Sequence, residues 1–405
     1  MPVRSFVTSA TDAYDRGHEL GVACSAGVHT AWQRYRELWA AFGVTADEVR
    51  SVGESVLDPV QVFSSTLRAE MAGIAAGSGL ADWQLGALNA RSELLALGDQ
   101  RLLAAGRLPG EAVSECSALV RLPRAGAPVT AQTWDWHTSL QNSWFVWTLP
   151  LPGGRTVSTL TEYGIVGKIG VRTDTAPDGS SRGAIGVHFN ALRHGTDSGL
   201  GGVPVHLVAR RVLDEARTGA EAVAIASTAQ VTASAAVTVT APDETGSAWT
   251  ARTIELHPGG PAVLAQSVGA AGGWLAHTNH FVADATSSDA GLTSEVSTSR
   301  ERLDRVARLA REDSGTTSAQ TLAQQLAQKL ATHDLGERSV CVHGFPDAPL
   351  GQRSATLAVV VAEPARGRLH VHAGKPCEAR ADSWWSSVDT RQPNRASTNE
   401  RAGRL

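Results

Sequence analysis

The chain has 405 residues, 42% hydrophobic and 19% charged, a balance that fits a globular protein with a substantial core. Its formal net charge of -4 comes without any Lys/Arg run, and neutralising phosphates takes clustered cations, so nucleic acid is excluded as a partner. Four scattered cysteines (Cys24, Cys116, Cys341, Cys377) make no C-x-x-C and no disulfide framework, and no apolar stretch approaches the ~18 residues that span a bilayer. With an N-terminus lacking the long apolar core of a signal peptide, these features predict free thiols, no membrane partner and a cytoplasmic location.

The first hundred or so residues read as helical. From Ser9 to Gly43, Tyr14, Leu20, Val22, Val28, Trp32, Tyr35, Leu38 and Trp39 recur at about 3.6-residue spacing. "VFSSTLRAEMAGIAAGSGL" and "ADWQLGALNARSELLALG" predict further helices, the first stopped by Gly77 and Gly79. After Cys116 the texture becomes short β-branched or aromatic runs, with "TAPDGSS" (Thr175 to Ser181) as a hairpin tip. A helix over "VPVHLVARRVLDEARTGAEAVAIAS" precedes four more strands, ending in "GGWLAHTNHF". Helices at about 297–311 and 317–332 and a closing hairpin, "SATLAVVVAEPARGRLHVHAG", complete an α+β body of stacked layers. The residues from Ser383 read as a polar tail, apart from Trp384 and Trp385.

Four residues stand out chemically. In mid-chain the Cys116 thiol has no local base. Cutting the Glu115–Cys116 bond would free an α-amine of pKa ~7.7–8.0 beside a thiol of ~8.5, so one residue would hold nucleophile and general base. The thiol could make that cut by attacking the Glu115 carbonyl, shifting the acyl group from nitrogen to sulfur and leaving a thioester for water. A buried, inert cysteine is the competing reading. Asp135 follows 19 residues later between Trp134 and Trp136, far enough for a hairpin to return it beside Cys116. The tryptophans share one face of a strand, so Asp135 takes the other, either inward or as a surface carboxylate.

Asn279, at a strand end, could donate to an oxyanion or merely terminate the strand. Arg353, before the apolar "SATLAVVV" strand, either meets an anion or is a solvated strand-end arginine. Two histidine groupings invite a metal reading: His277 with His280, and Cys341 and His343 with His370 and His372. Neither has the spacing of a known metal motif, so no metal or cofactor is assigned.

In order, "LRAEMAGIAAGSGL", "LNARSELLALG", "ECSALVRLPRAGAPVTAQTWDWH", "TEYGIVGKIGV", "FNAL", "GVPVHLVARRVL", "GWLAHTNHF", "STSRERLDRV" and "RSATLAVVVAEPARGRLHVHAGKPCEA" resemble segments of one family. That family is peptidase C45, the acyl-coenzyme A:6-aminopenicillanic-acid acyltransferase-like branch of the N-terminal nucleophile (Ntn) hydrolases. The resemblance implies a four-layer αββα Ntn-hydrolase sandwich made as a precursor. Residues 1–115 would be a helical pre-nucleophile segment, cleaved but retained as heterodimer partner. Residues 116–382 would be the body and 383–405 the tail. It also implies Cys116 as nucleophile and new N-terminus, Asp135 as the adjacent carboxylate, Asn279 as oxyanion donor and Arg353 as the arginine of the R-[ST]-A-T-L strand. Two positions depart from the pattern: Glu115 replaces the glycine before the nucleophile, and Thr133 the asparagine of the motif. The expected activity is hydrolysis, or less readily formation, of the amide bond of a small N-acyl molecule through an acyl-Cys116 thioester. The alternative is an unprocessed, non-catalytic relative that only binds its ligand.

Overall fold

The computed structural model describes residues 2–104, 116–124, 126–269, 271–283, 297–311, 325–344 and 347–387. Glu115, residues 317–324 of the last expected helix and the tail beyond Ser387 lie outside them.

A short strand missed by the sequence reading, β1 (Ser5–Val7), opens the chain, followed by α1 (Ala13–Ala23) and α2 (Ser25–Ala41). The break between the two helices falls at Cys24, and Tyr14 and Val22, counted on the apolar face, are exposed. The run continues through α3 (Ala46–Ser55), α4 (Leu57–Phe63), α5 (Ser65–Ser78), α6 (Asp82–Asn89) and α7 (Arg91–Ala104). α3 starts at a capping box in which the Thr45 hydroxyl and Glu48 carboxylate satisfy each other's amides. α5 stops at Gly79, whose φ of 78° is left-handed, while Gly77 stays helical. α1 and α5 touch at their backbones: a Cβ on Gly17 would sit 2.1 Å from the Glu70 carbonyl oxygen, and one on Gly73 2.1 Å from that of Tyr14. Only glycine fits these two positions.

The strands that follow are β2 (Ser117–Leu122), β3 (Val129–His137), β4 (Trp144–Leu151), β5 (Arg155–Glu162), β6 (Ile169–Thr175) and β7 (Ser181–Ala191). Next come α8 (Val205–Glu215) and α9 (Gly219–Ser227), which the sequence joined into one helix. They part at Ala216, which is extended, before Thr218 caps α9 by accepting from the Glu221 amide. β8 (Ala235–Pro242), β9 (Trp249–Leu256), β10 (Val263–Val268) and β11 (Gly273–His277) lead to α10 (Ser299–Arg311). β12 (Ser354–Glu363), β13 (Arg368–Ala373) and β14 (Trp384–Ser386) close the fold. The start of the expected tail is therefore a strand: Trp384–Ser386 pairs with His370–His372, and the body runs past residue 382.

These strands form two sheets, ordered β1-β4-β5-β6-β7-β8-β9-β10 and β11-β2-β3-β12-β13-β14. Every pairing is antiparallel except β1 with β4. The sheets stack through β12 and β13 against β5, β6 and β7; α8 and α9 cover the eight-stranded sheet, and α10 covers the other. This is the expected αββα layering. Trp134 and Trp136 point into the core between the sheets, whereas Leu119, Ala131 and Val361 face Val306 and Ala310 of α10. Among the described residues, no helix is long and apolar enough to cross a membrane.

Polar side chains also cross between the sheets. Gln132 on β3 accepts from the Phe189 amide at 3.1 Å and donates to the Phe189 carbonyl on β7. His188 bonds to the same Gln132 at 3.0 Å and to the Thr130 hydroxyl at 2.5 Å. Burial pushes the His188 imidazole down to about 3 and that of His137 also to about 3, so both stay neutral in the fold. Between the free-imidazole value of ~6.5 and about 3, the unfolded chain binds protons that these folded histidines do not, so their contribution to stability falls as pH falls. Buried Glu93 and Asp197, raised by burial to about 7 and about 6, work in the opposite sense above their ordinary range, so the slope is best isolated by difference. His188→Gln is expected to lose stability on acidification less steeply than wild type, by about 1.4 kcal/mol per pH unit across that window. Chemical denaturation at several pH values measures it, and parallel slopes for the two proteins would refute the account.

Candidate active site

The β2–β3 hairpin sets the register of the site. Ser117 pairs with Thr133 and Arg121 with Val129, a register that sets Cys116, one residue before β2, level with Trp134 and next to Asp135. The Cys116 thiol lies 3.8 Å from the Asp135 carbonyl oxygen and packs in the core between the sheets with Trp134. The Asp135 side chain takes the other face of β3 and is buried at 1% exposure. Thr133, on the same face, accepts the Ser117 amide at 3.1 Å and donates to Asp135 Oδ2 at 3.4 Å. A hydroxyl can do both, so threonine at this departure from the motif couples the start of β2 to the carboxylate.

Asn279 lies two residues beyond β11. Its amide N–H donates to Ser299 Oγ at 2.7 Å, and its side-chain Nδ2 donates to the Ala191 carbonyl at 2.9 Å. Arg302 of α10 joins it to the cysteine. Arg302 Nη2 donates to Asn279 Oδ1 at 3.2 Å, while Nη1 donates to the Cys116 carbonyl at 3.2 Å and to Ser117 Oγ at 2.9 Å. Asn190 Nδ2 of β7 gives the same carbonyl a second donor at 2.9 Å. With its oxygen held by the guanidinium, the Asn279 amide has one orientation, and its NH2 group carries a second hydrogen besides the one given to Ala191.

Arg302 and Asn190 were missed by the sequence reading. A signal for Arg302 existed: it shares a helical stripe with Val306 and Ala310, all buried, and a cation on such a stripe needs partners. Arg353 is placed elsewhere. Its side chain is exposed and donates to the Ala348 carbonyl, while the next residues, Ser354 and Thr356, pair with His137 and Asp135. The guanidinium that reaches Cys116 and Asn279 is that of Arg302.

On the thiol side of the sheet, Lys168 is buried over the Trp134 ring at 4.2 Å, with Nζ 2.7 Å from Glu162 Oε2. Arg91 also reaches Glu162 at 3.0 Å, and the Tyr35 hydroxyl donates to the same carboxylate. Burial pushes the Lys168 ammonium down to about 8 against the pull of Glu162, and a Cys116 thiolate is close enough to favour its charged form. Burial alone would raise Glu162, but Arg91 and Lys168 hold it below the usual carboxylate range. A cleft lined by Phe42, Leu95, Trp136, Leu192, Arg193 and Asn279 opens beside this centre.

The proposed histidine groupings dissolve. His277 Nε2 sits 2.9 Å from Glu255, and His280 bonds to Ser299 Oγ at 2.8 Å and is pushed down to about 4 mainly by burial. His370 lies between Glu363 and Ser386 at 2.8 and 2.6 Å, and His372 Nδ1 is 3.4 Å from the Ser383 carbonyl.

The family described as acyl-coenzyme A:6-aminopenicillanic acid acyl-transferase matches residues 123–378, a stretch that begins seven residues after Cys116 and takes in Asp135, Asn279, Arg302 and Arg353. The chain is 29% identical over 190 residues to the acyl-coenzyme A:6-aminopenicillanic-acid-acyltransferase 40 kDa form of Emericella nidulans, covering 47% of each. It thus spans about half the length of that curated relative. Penicillin V acylase from Agrobacterium tumefaciens is similar in structure at 16% identity and a TM-score of 0.34, over 64% of this chain and 83% of that one. A variant of conjugated bile acid hydrolase from Clostridium perfringens has 12% identity and a TM-score of 0.37, over 69% and 100%. By its match over residues 123–378, this chain belongs to the acyl-coenzyme A:6-aminopenicillanic acid acyl-transferase family.

Proposed function

We propose that the chain is a self-processing N-terminal-cysteine enzyme that hydrolyses the amide bond of a small N-acyl molecule, with transfer to an amine as the variant outcome. The observation that supports this best is the convergence of Cys116, Ser117, Asn279 and Arg302 through hydrogen bonds of 2.9–3.2 Å in a buried site. In the proposed reaction Cys116 Sγ attacks the substrate carbonyl, and the thiol proton passes to the freed α-amine of Cys116. The oxyanion forms against Asn279, the carbon–nitrogen bond breaks, and the α-ammonium protonates the leaving amine. Water, activated by the α-amine again, then hydrolyses the acyl-Cys116 thioester; an acceptor amine in its place would give acyl transfer. Asp135 is the carboxylate that would orient the α-ammonium, and Lys168 the cation that would favour the thiolate. The cleft beside Asn279, with Phe42, Leu95, Trp136 and Leu192 in its walls, would take the apolar part of the acyl group.

Maturation uses the same thiol on the Glu115 carbonyl and would yield residues 1–115 and the remaining 290 residues of the chain. Denaturing mass spectrometry should therefore find two chains in the wild type, the longer beginning at Cys116, and one in Cys116→Ala. An intact wild-type chain would instead favour an unprocessed ligand-binding relative. In the processed enzyme, Asn279→Ala is expected to lower kcat about 100- to 1,000-fold, the usual loss for one oxyanion donor, without unfolding the protein. Near-normal turnover of an N-acyl substrate in that variant would remove the assignment. Arg302→Lys keeps the charge but not the planar fork, and losing a charge-assisted hydrogen bond of about 1.5 kcal/mol corresponds to a roughly tenfold lower kcat. Arg353→Lys serves as the comparison; a larger loss there than at Arg302 would restore Arg353 to the site.

A further inference from the structure

Four side chains outside the catalytic centre meet at one point. His333, Cys341, His343 and Cys377 place one ligand atom each within 4.8 Å of all the others. His333 Nε2 and His343 Nε2 are 3.0 Å apart, Cys341 Sγ is 3.6 Å from His343 Nε2, and Cys377 Sγ is 3.5 Å from it. The two sulfurs are 3.5 Å apart, beyond the ~2.05 Å of a disulfide, and both cysteines are free. A tetrahedral zinc ion with Zn–S near 2.3 Å and Zn–N near 2.0–2.1 Å has ligand–ligand edges of about 3.8 Å for S–S, 3.5 Å for S–N and 3.3 Å for N–N. The four separations above lie within about 0.3 Å of those edges, and the two from His333 to the sulfurs stay within 4.8 Å.

We propose that His333, Cys341, His343 and Cys377 bind one zinc ion as a structural Cys2His2 site. The donor set of two thiolates and two imidazoles selects zinc over the oxygen-seeking cations. Four protein ligands leave no position for a reacting water, which makes the site structural and independent of the Cys116 chemistry. The metal would clip together three segments of the chain. His333 follows the helix at 325–329, and the Cys341 amide donates to the Thr332 carbonyl at 3.2 Å. Cys341 and His343 flank Val342, which exchanges hydrogen bonds with Thr356 of β12 at 3.0 and 3.1 Å. Cys377 sits in the turn Pro376–Glu378 after β13. Thr356 in turn pairs with Asp135, so the clip braces the strand that carries the candidate carboxylate. The sequence reading had offered Cys341 and His343 with the wrong histidines and assigned no metal; the other two ligands become neighbours only in the fold.

The test uses the full-length protein, purified under reductant without chelator, incubated with zinc and desalted. Metal analysis is expected to find one zinc per chain in the wild type and in Cys116→Ala, and background levels in the double variant His343→Ala/Cys377→Ser. Both altered side chains are exposed, which favours survival of the fold. As a measurement that needs no variant, cobalt(II) titrated into metal-free wild type should give the visible bands of a tetrahedral thiolate-bound ion, saturating at one equivalent. Wild type that retains no zinc and shows no such bands would overturn the proposal. So would a double variant that keeps the zinc, or a Cys341–Cys377 disulfide in metal-free protein as isolated. Zinc bound by the Cys116→Ala protein would stand whether or not the catalytic reading does.

Discussion

The candidate active site is organised around a fully buried guanidinium. Arg302 comes from the helix that covers the six-stranded sheet, yet its fork ends on the Cys116 backbone, the Ser117 hydroxyl and the Asn279 amide. An arginine cannot shed its charge on burial, so each N–H it brings inside must find an acceptor. That requirement fixes three elements relative to one another: the start of β2, the loop after β11, and the first turns of α10. A lysine at the same depth would offer a point charge without direction, and the Asn279 side chain would lose its fixed orientation. Thr298, immediately before the helix, accepts from Arg302 Nε at 3.3 Å and so holds the fork from its root.

Much of the strand pattern is legible in the sequence because it depends on local alternation. The flanking tryptophans set Asp135 on the strand face opposite their own, though which face is core shows only in the fold, and the 19-residue spacing fits the hairpin that returns it beside Cys116. The turn at 175–181 follows from its Pro, Asp and Gly. What escapes the sequence is tertiary. β1 and β14 are three residues each, too short to show a period, and exist because a longer strand offers them an edge. Arg353 and Arg302 both adjoin apolar runs, but the first sits at a strand mouth and looks outward, while the second lies mid-stripe on a helix. Only helical phase separates them. His333 and Cys377 carry no common motif, since 43 residues and two strands intervene.

The interior around the two sheets holds buried polar side chains. Gln132 and His188 tie one sheet to the other, and Lys168, Glu162, Arg91 and Tyr35 form a charge network below Trp134 and Trp136. Both cations of that network converge on the one carboxylate, so pairing offsets much of what burying the charges costs. The aromatic rings serve as partners too: Arg91 lies 4.0 Å above Trp136, and Trp136 Nε1 donates to the Tyr35 hydroxyl at 3.0 Å. The thiol of Cys116 therefore sits at the edge of a polarised interior and not in an oily one.

The attachment of the N-terminal segment has a kinetic meaning. β1 is hydrogen-bonded into the sheet beside β4, and the Glu70 carboxylate is shared by Arg16 of α1 and Arg210 of α8, all three fully buried. These are contacts of a single core, not of a docked subunit. If the backbone is opened before Cys116, separating the pieces would expose the shared core and uncover that carboxylate, a cost close to that of unfolding the whole. Reassembly would then no longer be a search within one chain but an encounter between two, each lacking part of its interior. The fold would be reachable only from the uncut precursor, and the mature molecule would persist by the height of its unfolding barrier.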